Sequence, residues 1–321
     1  MLNILKFKIF KKIIIIKLLF IISNIYNIGI AKAIQDFSNA NFNLNSSSDV
    51  RIVATIKPLY NLVAAVTKGV DNCKLILLLQ GNVSPHDYSL KLNDVKLLAK
   101  ADVIIWGGDQ LEFFLSKLLQ QPKFANKLIT IQKEPKLKTL NFRNSKSLDE
   151  HVWLSPYNAK IIVMAVERFL STIDPVNAKK YIINRKKFLI KLANMDAHIK
   201  NNILLMGKHK TYLVFHDAYQ YFENFYGLQS PIVISDNPSM PLSIKRMFHI
   251  HDIIVKNQVN CLFKEPQFNA KILDSLIQSP NLNQNLKIGI LDPLGKDEDM
   301  GPDGYFRLIN NLAESFNNCF N

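Results

Sequence analysis

Three histidines, His86, His151 and His216, each stand at the edge of an apolar run, and successive members are 65 residues apart. Their settings are loop-like: Ser84-Pro85-His86-Asp87, Asp149-Glu150-His151-Val152 and Phe215-His216-Asp217. An imidazole leaving a strand end can point outward to a shared ligand, and loops at strand ends are where ligands bind. Three neutral imidazoles and one carboxylate suit a borderline cation such as zinc, with four ligands at about 2.0–2.2 Å. Asp292 directly follows the apolar run Lys287–Leu291 and is the candidate carboxylate, with water as the other occupant of the fourth position. The competing reading of Asp292-Pro293 is a turn start, since Asp before Pro commonly opens one. A lone loop histidine is more often solvated than ligating, so the metal reading rests on the set. No helical HExxH pattern occurs, which leaves the zincin class unsupported. His198 and His209 lie in or just beyond a polar helical stretch and read as surface residues. His249 and His251, two apart in one helical stretch, share no face.

Such residues need two sheets to hang from, and the chain supplies two sets of strand candidates. Arg51–Lys57, Leu75–Leu79, Val103–Trp106 and Lys127–Ile131 alternate with helical patterns near Leu59–Thr67, Leu92–Lys100 and Gln110–Leu119. Tyr212–Phe215, Pro231–Ser235, Cys261–Lys264 and Lys287–Leu291 repeat the scheme, with helices near Tyr219–Phe225, Ile244–Asn257, Lys271–Gln278 and Tyr305–Phe316. Alternation of this kind predicts α/β lobes, each a mostly parallel four-stranded sheet covered by helices. Between the sets, Tyr157–Thr172 and Val176–Leu205 have helical period and no Gly, broken at Asp174-Pro175. The second segment predicts a stiff strut of roughly 45 Å joining the lobes. The expected domains are an N-terminal lobe over 51–174, a connecting helix over 175–205 and a C-terminal lobe over 206–321. Two ligands from each lobe would set the site in the cleft between them.

The first 33 residues stand outside this fold. Lys6, Lys8, Lys11 and Lys12 precede a mostly apolar stretch from Ile13 to Ile30 and then Ala31-Lys32-Ala33, the pattern of a cleavable signal peptide. Lys17 interrupts the apolar stretch, and no Cys lies near the cleavage point to carry a lipid anchor. A periplasmic protein with no stable membrane insertion is expected, preceded by a Ser- and Asn-rich mobile tail over 34–50. Loss of residues 1–33 removes six Lys and no acid, taking the formal charge from +14 to +8. The remaining Lys are scattered without a block of like charge, so nucleic-acid binding is not expected. The remaining length exceeds what one core normally serves, in keeping with two lobes.

Several segments together carry a family resemblance: Arg51-Ile-Val-Ala-Thr-Ile-Lys-Pro-Leu59, Ser84-Pro-His-Asp-Tyr-Ser-Leu90, Ala101-Asp-Val103, His151-Val-Trp-Leu154, Phe215-His-Asp-Ala-Tyr219, Glu265-Pro-Gln-Phe268 and Leu291-Asp-Pro-Leu-Gly295. From about residue 51 to the end the chain resembles the metal-specific substrate-binding proteins of ABC importers, the zinc and manganese group, and within it the zinc-uptake branch. The resemblance implies two α/β lobes joined by one long helix, a rather rigid molecule, and a metal held on His86, His151 and His216. It implies Zn²⁺ as the transported ligand, an inner-membrane ABC permease as partner, and no catalysis; a monomer is expected. Manganese-specific members place a carboxylate where this chain has His216, so zinc is expected over manganese. The resemblance also implies a disulfide in the C-terminal lobe, Cys261 to Cys319, leaving Cys73 free; three free thiols are the alternative. Two features depart from the family: Glu134 to Glu150 lacks the His-rich loop of many members, and Pro85 stands where some have Glu before the first ligand. The alternatives are a zinc hydrolase or hydratase, with Asp87 or Asp217 as base, and a manganese-binding or adhesin-like relative.

Overall fold

Runs of Val, Ile and Leu that read as buried strands pair in parallel, as continuous apolar strands do when helices cover both faces. The computed structural model describes residues 49–81, 83–203, 210–235, 243–268 and 286–321. β1 (Val50–Ala54), β2 (Cys73–Leu77), β3 (Val103–Trp106) and β4 (Leu128–Thr130) form one sheet in the order β2-β1-β3-β4. Ile52 at its centre stands opposite both Leu75 and Val103. β7 (Tyr212–His216), β8 (Ile232–Ser235), β9 (Cys261–Lys264) and β10 (Lys287–Ile290) form the second, in the order β10-β9-β7-β8. Each sheet thus keeps its first strand inside, flanked by later ones on both sides. The chain order reverses between β1 and β3 in one lobe and between β7 and β9 in the other, and crevices open beyond the carboxyl ends at such points.

The strut is present. After a 3₁₀ turn at Pro175–Asn177, the helix Ala178–Ile203 runs for 26 residues, about 39 Å. Asn184 donates from its side chain to the carbonyls of Val66 and Lys68, capping the helix Lys57–Thr67, and Tyr181 donates to Asp174. The preceding helix Pro156–Ile173 starts on Ser155, whose hydroxyl accepts from the Asn158 amide, with Pro156 in its first turn.

Contacts between the lobes are close. Trp153 donates its indole N–H to the Pro293 carbonyl, and the Tyr305 hydroxyl donates back to the Trp153 carbonyl. Gly304 opens the last helix, Gly304–Phe320, against Asn61, where a Cβ would stand 2.4 Å from the Asn61 side chain. In the C-terminal lobe Tyr212, Phe263, Phe316 and Phe320 form one aromatic cluster, and a Cys261–Cys319 disulfide ties β9 to the last helix. Cys73 is free and shares a hydrogen bond with the Tyr181 hydroxyl.

Differences from the expected elements are small and physical. Val50, assigned to the tail, is buried in β1 opposite Cys73, because its side chain completes the core face of that strand. The helix expected from Gln110 begins at Phe113, since the amides of Gln110 and Leu111 turn to the Glu150 carboxylate instead. A short antiparallel hairpin, β5 (Leu140–Asn141) and β6 (Leu148–Asp149), leads into His151 where only a polar connection was expected. The signal peptide, nearly all of the tail, the helix Lys271–Gln278 and His209 lie outside the described residues. No described helix is long and apolar enough to cross a membrane.

Candidate metal centre

His216 is the last residue of β7, and its Nδ1 donates to Glu265 Oε1 at 2.7 Å. Glu265 follows β9, so this bond spans the point where the second sheet's chain order reverses. His151 lies two residues beyond β6, and its backbone N–H and its Nδ1 both donate to Asp149 Oδ1, at 2.9 and 2.7 Å. Asp149 is fully buried, and its second oxygen accepts from Gln220 Nε2 at 2.6 Å. An ionised carboxylate can only accept, so each Nδ1 carries a proton, and in the neutral tautomer this leaves each Nε2 lone pair for a ligand. Those lone pairs meet: His151 Nε2 and His216 Nε2 lie 3.4 Å apart. Two nitrogens bound tetrahedrally at about 2.0–2.1 Å stand about 3.3 Å apart, so this spacing is that of two ligands sharing one ion.

His86 comes from the loop after β2, where its amide donates to the Ser84 hydroxyl. Its ring centre lies 5.4 Å from that of His151 and 6.0 Å from that of His216. One nitrogen from each of the three falls within 4.8 Å of the others, the one such group of three or more possible ligands among the described residues. Burial, and then the two neighbouring imidazoles, push the His86 pKa well below the ordinary value, which keeps the ring in its ligating, neutral form. Asp149 and Glu265 bring two negative charges one imidazole away from the ligand atoms, enough to balance a divalent cation held on neutral rings.

The three rings share a cavity of about 300 Å³ walled by Leu111, Phe142 and Leu148. Beside it, Glu150 accepts from the amides of Gln110 and Leu111, and burial pushes its pKa up to about 7. A larger cavity, about 440 Å³, is lined by Leu77, Leu79 and Val83 on one side and by Leu294, Asp297, Glu298 and Asp299 on the other, and by no histidine.

Asp292 stands apart from the histidines. Its Oδ1 accepts from Gln267 Nε2 and the amides of Leu294 and Gly295, and its Oδ2 from the amide of Lys296. That is the turn reading of Asp292-Pro293 in atomic form. The group of three thus takes two histidines from the N-terminal lobe and one from the C-terminal lobe, and Asp292 lies outside it. Asp217, a candidate base, is ion-paired with Arg143. His198 and His249 are exposed, and His251 faces Asp252. Asp149 and Glu265 were not among the expected site residues, although each is a carboxylate at a strand end.

Residues 52–319 match the family described as zinc-uptake complex component A, periplasmic. Two curated relatives are named high-affinity zinc uptake system protein ZnuA. That of Brucella abortus is 32% identical over 310 residues, covering 84% of this chain and 91% of the relative. That of Yersinia pestis is 30% identical over 305 residues, covering 87% and 92%. Among solved structures, the periplasmic zinc-binding protein TroA of Treponema pallidum superposes with a TM-score of 0.74 at 19% identity, covering 85% of this chain and 99% of that one.

Proposed function

The chain belongs to the zinc-uptake complex component A family of periplasmic proteins, and we propose that it captures Zn²⁺ between its lobes and hands it to the permease of an ABC-type importer. The observation that carries this is the pair of facing Nε2 atoms 3.4 Å apart, each ring held from behind by a buried carboxylate. Three imidazoles favour zinc over the harder manganese ion. His86, His151 and His216 are the ligands in this reading, and the fourth position goes to water, since the Asp292 oxygens are engaged by its own loop and Gln267. The ion is cargo. Catalysis is not proposed, in keeping with a family of periplasmic zinc-uptake components.

We also propose a monomer, exported to the periplasm by cleavage near residue 33 and not inserted in the membrane, with an N-terminal lobe over 51–174, a connecting helix over 175–205 and a C-terminal lobe over 206–321. The test is a zinc titration of the purified protein, stripped of metal beforehand. One Zn²⁺ per chain is expected, with binding lost or severely weakened in His86→Ala, His151→Ala and His216→Ala. Manganese competing on equal terms with zinc would overturn the metal assignment, and His216→Glu should shift preference toward manganese.

A further inference from the structure

We infer that Arg143 is a positioning residue that sets how fast the bound ion leaves, by latching the β5–β6 hairpin across the two lobes. This rests on the zinc-capture reading above and concerns its kinetics. The hairpin comes from the N-terminal half of the chain but lies against the helix Gln220–Tyr226 of the C-terminal lobe. The Leu140 amide donates to the Tyr221 hydroxyl at 2.8 Å, which donates to the Asp149 carbonyl at 2.6 Å. Gln220 donates to the Asn141 carbonyl and to Asp149 Oδ2, the carboxylate that orients His151. At the turn, between Phe142 and Ser147, the Arg143 guanidinium is ion-paired with both Asp217 and Glu223.

The geometry makes this more than a surface ion pair. Arg143 is 21% exposed, Asp217 11% and Glu223 3%, so loss of the guanidinium strands two carboxylates out of water. A planar fork of donors can hold two carboxylates at once, which an ammonium cannot do in the same geometry. Phe142, next to Arg143, packs its ring 6.3 Å from that of His151, and Phe142 and Leu148 form one wall of the cavity that holds the three histidines. Lifting the hairpin removes that wall and frees Asp149 from Gln220, so the ion gains an exit and His151 loses its support in one motion. Asp217 follows His216 directly, and Arg143 therefore ties the hairpin to the segment bearing the third ligand.

The test is the rate at which zinc-loaded full-length protein gives up its ion to an excess of a strong chelator in stopped flow, read with thermal unfolding of each variant. Arg143→Ala should speed release roughly tenfold or more, as loss of a buried charge partner typically raises off-rates. Arg143→Lys should fall between, and Arg143→Ala with Glu223→Gln should be no faster than Arg143→Ala alone, because both act on one contact. Lys191→Ala, which breaks an exposed ion pair to Asp303 away from the hairpin, should leave the rate unchanged. Should Arg143→Ala fail to fold, Arg143→Lys and Glu223→Gln carry the test, and each should release zinc faster than the parent. Release from the arginine variants within about twofold of the parent, or equal acceleration by Lys191→Ala, would overturn the latch. A parent chain that takes up no zinc would sink the function itself and the latch with it.

Discussion

Replacing Glu265 by Gln removes one charge and almost no volume from the point where the C-terminal sheet meets the cleft. The Glu265 side chain is 1% exposed and accepts from His216 Nδ1 at 2.7 Å. Gln can still present a carbonyl oxygen there, so the ring need not turn, but the bond changes from charge-assisted to neutral. Hydrogen bonds to charged groups contribute about 1.5–3 kcal/mol and neutral ones about 0.5–1.5, a difference near 1.4 kcal/mol or roughly tenfold in affinity. Outer carboxylates of metal sites fall in the same range, about 10- to 100-fold. Zinc affinity of Glu265→Gln should thus be about tenfold weaker, and that of Glu265→Ala nearer 100-fold weaker. Competition against a chelator of known zinc affinity at fixed pH measures both, with circular dichroism to verify the fold. A Gln variant that binds within twofold of the parent would refute the reasoning, for it would mean that neither the charge nor the orientation supplied by Glu265 reaches the ion.

Asp149→Asn should weaken zinc by a similar factor through His151, and the same competition assay reads it; an unchanged affinity would detach Asp149 from the site. Asp292→Ala should cost about 1–2 kcal/mol of stability, as loss of a capping carboxylate does, with zinc affinity nearly unchanged. A tenfold or greater loss of affinity on calorimetry would restore it to the coordination sphere. Reducing Cys261–Cys319, which spans 58 residues of sequence, should lower the stability of the metal-free protein by about 2–4 kcal/mol in urea unfolding. Equal midpoints with and without reductant would contradict this. Burial pushes Glu112 up to about 8, above its ordinary value, so the folded chain keeps a proton that the unfolded chain releases. Its contribution is complete below about pH 4.5 and is lost as pH rises toward 8. Glu112→Gln should flatten that decline when unfolding free energies of metal-free parent and variant are compared from pH 5 to 8, and parallel curves would exclude it.

The inner strands were legible because they are buried on both faces: Ile52, Val103 and Leu213 sit in apolar runs that are plain without any partner in view. The histidines were legible as loop-like residues at the edges of apolar runs. His216 needed only the end of β7 to be found, and His151 only the apolar start at Val152. The hairpin before His151 was not, since two-residue strands such as Leu140–Asn141 carry no period and are fixed by Tyr221 and Gln220 some 80 residues away. Asp149 and Glu265 escaped for a related reason. A carboxylate becomes an orienter only through the ring it faces, and Glu265 faces one 49 positions back. Asp292-Pro293 had two consistent readings in sequence, ligand and turn, and the amides of Leu294 and Gly295 favour the second.

Both lobes are built on a four-stranded parallel sheet, yet the three imidazoles do not occupy equivalent places in the two. His86 leaves the loop after the second strand of its lobe, His216 ends the first strand of the other, and His151 lies beyond a hairpin that has no counterpart among the described residues of the C-terminal lobe. A repeated scaffold used symmetrically would offer donors in matched pairs, and three cannot be divided that way. Each donor is instead specified by its own loop and, for two of them, by its own carboxylate. Such a site is modular in heredity as well as in space: a substitution at one loop can retune the preferred ion while the other two loops, and the strands that carry all three, remain as they were.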